Sequence, residues 1–179
     1  PGAISVTAQR AGFGTRLAWL VGPGREVVFV GRDDDEARAA ARLAAAVGVR
    51  GEGGYLAGGM SGWRNDRRPV ERVERVTVPE LAALRRADPA LQVLDVREPD
   101  DWAAGRIPGS VNVPYHELED APLALDLDRP IAVVCGAGHR SAVGASLLQM
   151  RGAAAPLHVG DGGVAQWDQL GHPLEAGAV

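Results

Sequence analysis

The 179-residue sequence has a single cysteine, no lysine, few aromatic residues (4%) and no long apolar run. One thiol excludes an intrachain disulfide framework and any thiolate-rich zinc site. No stretch reaches the roughly 18 consecutive apolar residues that a membrane helix needs. No basic-then-apolar leader opens the chain. The missing lysine leaves all 19 basic charges to arginine against 23 acidic ones, a net charge of −4. That balance excludes the basic footprint of a general nucleic-acid binder. Absent lysine beside abundant alanine reads as the composition of a GC-rich genome. The four histidines, His116, His139, His158 and His172, are scattered, so neither a metal nor a cofactor is expected. What remains is ordinary globular composition, 46% hydrophobic and 23% charged, read as a cytoplasmic protein with a free thiol.

The chain repeats itself. Residues 24–63, from Gly24 to Trp63, align without a gap on Asp128 to Trp167 at an offset of 104. Val27-Val28-Phe29-Val30 falls on Ile131-Ala132-Val133-Val134, Gly58-Gly59 on Gly162-Gly163, and Trp63 on Trp167. Pro1-Gly2-Ala3-Ile4-Ser5-Val6 resembles Pro108-Gly109-Ser110-Val111-Asn112-Val113. The second copy has further sequence before Pro108, including Leu91 to Arg97, which reads as a buried strand; the first has nothing before Pro1. A unit lacking that strand would leave ladder groups unpaired, so the natural protein is expected to extend upstream of Pro1, which the intact mass of the native gene product would test.

Residues 27–30 and 131–134 are short apolar runs rich in β-branched residues and read as buried strands. Each leads into a helical stretch, residues 34–46 and 141–151, the second stopped by Gly152. Residues 79–86 read as a helix with Pro79 in its first turn, and residues 15–21 and 115–118 also read as helical. Alternating strands and helices predict an α/β fold with parallel sheets covered on both faces. The charged stretch 64–75 reads as a solvated connector.

Chemistry concentrates after Val134, in Cys135-Gly136-Ala137-Gly138-His139-Arg140-Ser141. A strand ends, a thiol follows at once, and small residues lead into a helix. Gly136, Ala137 and Gly138 let backbone N–H groups converge above the sulfur. The helix start adds unpaired N–H groups and its positive dipole end. Arg140 adds a permanent cation whose planar fork suits an oxyanion. Such a setting holds negative charge on sulfur and on an approaching anion. A lone cysteine by itself is more often a small buried hydrophobe; the loop around it turns the reading towards function. His139 either faces substrate or is a solvated loop residue, and Ser141 either donates to the bound anion or caps the helix.

These residues resemble the rhodanese-type sulfurtransferases. Cys135 to Arg140 is similar to that family's six-residue active loop. Leu94-Asp95-Val96-Arg97-Glu98 and Gly105-Arg106-Ile107-Pro108-Gly109-Ser110 resemble its Asp-x-Arg and Gly-His-Ile-Pro-Gly-Ala signatures, and Gly162-Gly163 with Trp167 its closing pattern. Arg106 stands where the family usually has His, and Asp101 where it often has Glu. The resemblance implies two rhodanese-like three-layer αβα domains with parallel sheets, the first N-terminally incomplete. Their expected bounds are 1–68, a linker at 69–75, and 76–179. It implies that Cys135 and Arg140 are catalytic, that Gly136, Ala137, Gly138, His139 and Ser141 bind substrate, and that Asp95 and Arg97 are scaffold residues behind them. The expected reaction moves a sulfane sulfur from thiosulfate or a glutathione persulfide-like donor, through a Cys135 persulfide, to a thiol or cyanide.

The first copy has lost the loop. Gly31 aligns with Cys135 and Glu36 with Arg140, and Arg32-Asp33-Asp34-Asp35 lies between. Acids at a helix N-terminus stabilise it and repel an anionic donor, so this copy reads as structural. A degenerate copy followed by an active-looking one, with Phe13-Gly14-Thr15 and Leu17-Ala18-Trp19-Leu20 in the first, resembles the C-terminal part of fusions with a metallo-β-lactamase-fold domain. That implies such a domain as upstream partner. Two other readings compete: a non-catalytic binding or sulfur-carrier module, and a cysteine phosphatase or arsenate reductase. The phosphatase loops are one residue longer than the four residues between Cys135 and Arg140.

Overall fold

The computed structural model describes residues 2–8, 12–22, 25–49 and 53–177. Pro1 and Gly24, where the two repeat alignments begin, lie outside them. The chain divides into two compact units, Val6–Glu71 and Arg72–Val179, with Gly2–Ser5 grouped in the second, where the Ser5 N–H donates to Ser146 Oγ at 3.1 Å.

The first unit holds helices α1 (Phe13–Leu20), α2 (Asp34–Ala45) and α3 (Gly59–Asn65). Phe13, Leu17, Phe29, Ala37, Ala44 and Val49 form its core. The strand expected at 27–30 is reduced to one parallel bridge: the Phe29 N–H donates to Gly54 O at 3.0 Å and the Leu56 N–H to Phe29 O at 2.9 Å. Among the described residues this unit has no sheet, which corrects the expectation of a parallel sheet in both copies. A strand persists through ladder bonds and a covered face; here Phe29 is buried, but Val28 and Val30 are 57% and 46% exposed.

The second unit carries the expected α/β architecture. Strands β1 (Glu74–Val76), β2 (Gln92–Asp95), β3 (Val111–Asn112), β4 (Ile131–Val134) and β5 (Pro156–Val159) form one sheet in the order β1-β5-β4-β2-β3, every pair parallel. Central β4 is buried at every residue, as its Ile-Ala-Val-Val sequence predicts. Helices α4 (Val78–Ala87), α5 (Pro99–Ala104), α6 (Arg140–Met150) and α7 (Gly163–Gln169) complete the unit. α4 starts at Val78 because Thr77 and Glu80 form a reciprocal capping box. Ser141 to Leu148 of α6 are all buried, and Gly152 (φ +88°) ends that helix as expected.

Two further expectations change. Residues 115–118 are turns, not a helix: the Tyr115 N–H bonds to Val96 O at 3.3 Å and the Glu117 N–H to Pro114 O at 2.9 Å. The stretch 64–75 is not wholly a connector. Arg64 lies in α3, and Glu74 and Arg75 pair with Leu157 and His158 in β1, because β5 offers them an open edge.

The 104-residue offset recurs in the backbone. Gly48 and Gly152 both adopt positive φ (+81° and +88°), and Val49→Ala44 and Ala153→Leu148 hydrogen bonds are both 3.0 Å. Gly58-Gly59 and Gly162-Gly163 both open helices in the left-handed region. The indole N–H of Trp63 donates to Pro69 O at 2.8 Å, and that of Trp167 to Pro173 O at 2.9 Å.

Candidate active site

The sheet delivers Cys135 to one end of its central strand, and the thiol is buried (1% exposed). α7 grips this peptide from behind: the Val164 N–H donates to Cys135 O at 2.8 Å and the Ala165 N–H to Gly136 O at 3.4 Å. Gly163 (φ +50°) makes that approach possible, since a Cβ there would overlap the Cys135 carbonyl. The Gly-Gly pair is thus a packing requirement of the thiol's own peptide.

The loop then turns back over the sulfur. Gly138 (φ +84°) points its N–H at Cys135 Sγ, 3.1 Å away. A side chain at Gly138 would stand 2.8 Å from Gly160 C, so only glycine fits between sulfur and β5's end. Of the expected N–H groups of Gly136, Ala137 and Gly138, it is that of Gly138 that is shown on the sulfur. The helix starts at Arg140, one residue earlier than expected, with His139 at its N-cap position and no side-chain capping bond. Its first turn carries no acid.

Arg140 and Ser141 have partners that the sequence does not announce. The Arg140 guanidinium pairs with carboxylates of the α5 region, 3.3 Å from Asp101 Oδ2 and 3.8 Å from Glu98 Oε1. It flanks the loop beside Gly136 and pairs with acids, because α5 brings two carboxylates to the loop's edge. Ser141 is not the helix cap: buried inside α6, its hydroxyl donates to Val159 O at 3.0 Å and accepts from the Cys135 thiol at 3.6 Å. It braces the sulfur against β5.

Asp95 and Arg97 lie behind the site. Asp95 ends β2 in register with Val134, and its fully buried carboxylate receives Arg97 Nε at 3.0 and 2.9 Å and Nη2 at 2.7 Å. Arg97 also donates to Gly105 O at 2.7 Å. A buried ion pair with its hydrogen bonds satisfied fixes geometry more than it adds stability, and this one fixes the strand neighbouring Cys135.

His158 was not singled out by the sequence. It is half-buried on β5, and its Nε2 lies 2.9 Å from Gly138 O. Burial holds its pKa below the ordinary imidazole value; the Gly138 bond opposes that, and nearby Arg75 and His139 add to it. The neutral ring, protonated at Nε2, can donate to the carbonyl of the loop residue whose N–H meets the sulfur. Only β5's adjacency to β4 reveals this role.

Among the described residues no group of three or more His, Cys, Asp or Glu side chains could hold a metal, and no helix is long and apolar enough to cross a membrane. Chemically, the arrangement is a buried thiol with a backbone N–H donor in a short loop at a helix start, open to covalent attack on a small electrophile.

Comparison with known proteins matches residues 77–170 to the rhodanese-like domain family. The thiosulfate sulfurtransferase GlpE of Pseudomonas aeruginosa is 37% identical over 89 residues, 50% of this chain and 79% of that protein. A rhodanese-like domain protein from Staphylococcus aureus superimposes with a TM-score of 0.52 at 26% identity, covering 59% of this chain and 100% of that one. A Rhodopseudomonas palustris protein of unknown function, described as a possible tyrosine phosphatase, superimposes at 0.51 with 28% identity, covering 57% and 85%.

Proposed function

The chain belongs to the rhodanese-like family, and from that premise we propose that it is a sulfurtransferase acting through a persulfide on Cys135. The observation carrying this reading is the Gly138 N–H on Cys135 Sγ at 3.1 Å, inside a loop that ends at a helix N-terminus. In the first step the Cys135 thiolate attacks the outer sulfur of thiosulfate or of an organic persulfide. The donor's S–S bond breaks, and sulfite or a thiolate leaves with the electron pair. The loop amide that meets Sγ is placed to stabilise charge on the sulfane sulfur. In the second step a thiol, or cyanide, attacks that sulfur and restores Cys135, giving ping-pong kinetics. Asp95 and Arg97 position the strand, and the loop residues shape the pocket.

The first unit is read as a degenerate rhodanese-like copy, supported by the hydrogen bonds and glycine conformations that recur 104 residues apart. A cytoplasmic setting and an upstream metallo-β-lactamase-fold partner belong to this reading on the sequence alone. The test is the intact mass after thiosulfate or cysteine persulfide treatment: one added sulfur atom, absent in Cys135→Ser, with transfer falling to background in that variant. Full transfer by Cys135→Ser refutes the reading. No adduct with either donor favours the non-catalytic module. The Rhodopseudomonas palustris likeness keeps a phosphatase as the third outcome; Cys135-dependent hydrolysis of an aryl phosphate would establish it.

A further inference from the structure

The thiol sits beside a cation that is already taken. Arg140, the last residue of the loop, lies 3.3 Å from Asp101 and 3.8 Å from Glu98, and Glu98 is 3.8 Å from His116 Nδ1. Asp101 and Glu98 lie at the start of α5, are partly exposed, and both reach the guanidinium at the end of the loop. One guanidinium against two carboxylates leaves this flank with a formal charge of −1. Arg75, the cation beside Gly160, is bonded through Nη2 to Gly160 O at 2.8 Å, and its stem covers Gly160. The donor that meets the sulfur is a single backbone N–H, that of Gly138, and one such dipole suits one charge better than two.

We infer that Glu98 and Asp101 are specificity-determining residues that select an organic persulfide over the thiosulfate dianion as sulfur donor. This rests on the sulfurtransferase reading above and specifies its substrate class. Thiosulfate brings two negative charges to a flank that is already net negative, and its sulfonate competes with Asp101 and Glu98 for Arg140. An organic persulfide brings its reacting sulfur with at most one charge. Cys135 thiolate attacks the outer sulfur of R–S–SH, the S–S bond breaks, and R–S⁻ leaves with the electron pair. The product on the enzyme is Cys135–S–SH, and no oxidant or reductant is consumed.

The test measures donor loading alone. Single-turnover formation of the Cys135 persulfide is followed by mass spectrometry with thiosulfate and with cysteine persulfide, in the wild type, Asp101→Asn, Glu98→Gln and the double variant. Each neutralised carboxylate is expected to raise the thiosulfate loading constant about threefold, and both together about tenfold. Cysteine persulfide loading is expected to change less than twofold. Raised salt should shrink the difference between wild type and double variant for thiosulfate. Equal changes for both donors, or slower thiosulfate loading in the variants, overturn the inference and make the carboxylates simple braces for Arg140. Asp101→Glu, which keeps the charge, should load like wild type; if it behaves like Asp101→Asn, shape decides instead and the inference also fails. Failure of the wild type to load from either donor is a different result, because it removes the sulfurtransferase reading itself.

Discussion

Two helix starts, aligned at the same offset, solve one problem in opposite ways. α2 begins at Asp34, in register with Gly138, whereas α6 begins two residues later, at Arg140. At α2 the chain fills the helix start with its own side chains. Asp33 accepts the Glu36 N–H at 2.8 Å, and Glu36 accepts the Arg32 N–H at 2.7 Å, a bond that holds the Glu36 carboxyl below its ordinary pKa. At α6 there is no side-chain cap and no acid in the first turn, and the residues that α2 absorbs into helix form the loop over the thiol. Gly31, aligned with Cys135, has no space for a side chain: a Cβ would stand 2.7 Å from Ala37 N and from Asp33 O. A helix start can stabilise itself or remain open to an anion, and tightening the turn to do the first closes the place where a thiol would stand.

The largest expected effect breaks the symmetry the two units do share. Gly59 faces the Gly31 carbonyl as Gly163 faces the Cys135 carbonyl, each with positive φ and no room for Cβ. Gly163→Ala must push the Cys135 peptide aside. We expect a stability loss of about 3 kcal/mol and a fall in transfer of about 100-fold, the scale of a 1 Å misplacement of a reacting group. Gly59→Ala strains its own unit but leaves transfer intact. Thermal melts and steady-state transfer check both; equal loss of transfer in the two variants would deny that only the second unit holds the chemistry.

A smaller effect converts one helix start towards the other. Ala137 aligns with Asp33 and is exposed, so Ala137→Asp introduces a carboxylate without a clash. One added negative charge a few ångströms from the sulfur should lower kcat/KM by about tenfold with the melting temperature unchanged or slightly raised. Asp33→Ala should cost about 1 kcal/mol of stability and no activity. If Ala137→Asp transfers sulfur as fast as wild type, the openness of α6 to anions is not what distinguishes the two.

Much of this contrast was legible in the sequence because it is local. The Ile-Ala-Val-Val run, the thiol directly after it, the small residues of the loop, Gly152 as a stop and the acids of α2 are all short-range signals. The misses are long-range. Val27-Val28-Phe29-Val30 has strand composition, yet a strand needs neighbours, and among the described residues only Tyr55 bridges to it. Arg140 reads from the sequence as a cation suited to an oxyanion, with no sign of its partner Asp101, 39 residues away. Ser141 had the residue type of a cap, but its hydroxyl is spent on Val159 of β5. His158 carried no signal at all, since its partner Gly138 is 20 residues earlier and meets it only through the order of strands.

That histidine gives the mildest and most specific prediction. Its ring supports Gly138 from one side while the sulfur takes the Gly138 N–H on the other, a brace that Gly54, at the aligned position of the first unit, has no side chain to make. Burial lowers its pKa in the folded protein, so the unfolded chain takes up this proton at higher pH than the folded one does. The neutral ring's contribution is therefore fully present above the ordinary imidazole value of about 6.5 and is lost as pH falls from there towards the lower folded value. His158→Gln can keep an N–H on the Gly138 carbonyl without that titration. Its melting temperature should fall less than that of the wild type as pH drops from about 7 to about 5, through and below the ordinary imidazole value, with transfer within a few-fold of wild type. His158→Phe, which fills the space but cannot donate, should lose more transfer than His158→Gln, read as a drop in kcat with KM little changed. Parallel pH dependence in wild type and His158→Gln would mean that the ring's protonation is not linked to folding, and equal activity in the Gln and Phe variants would reduce His158 to packing.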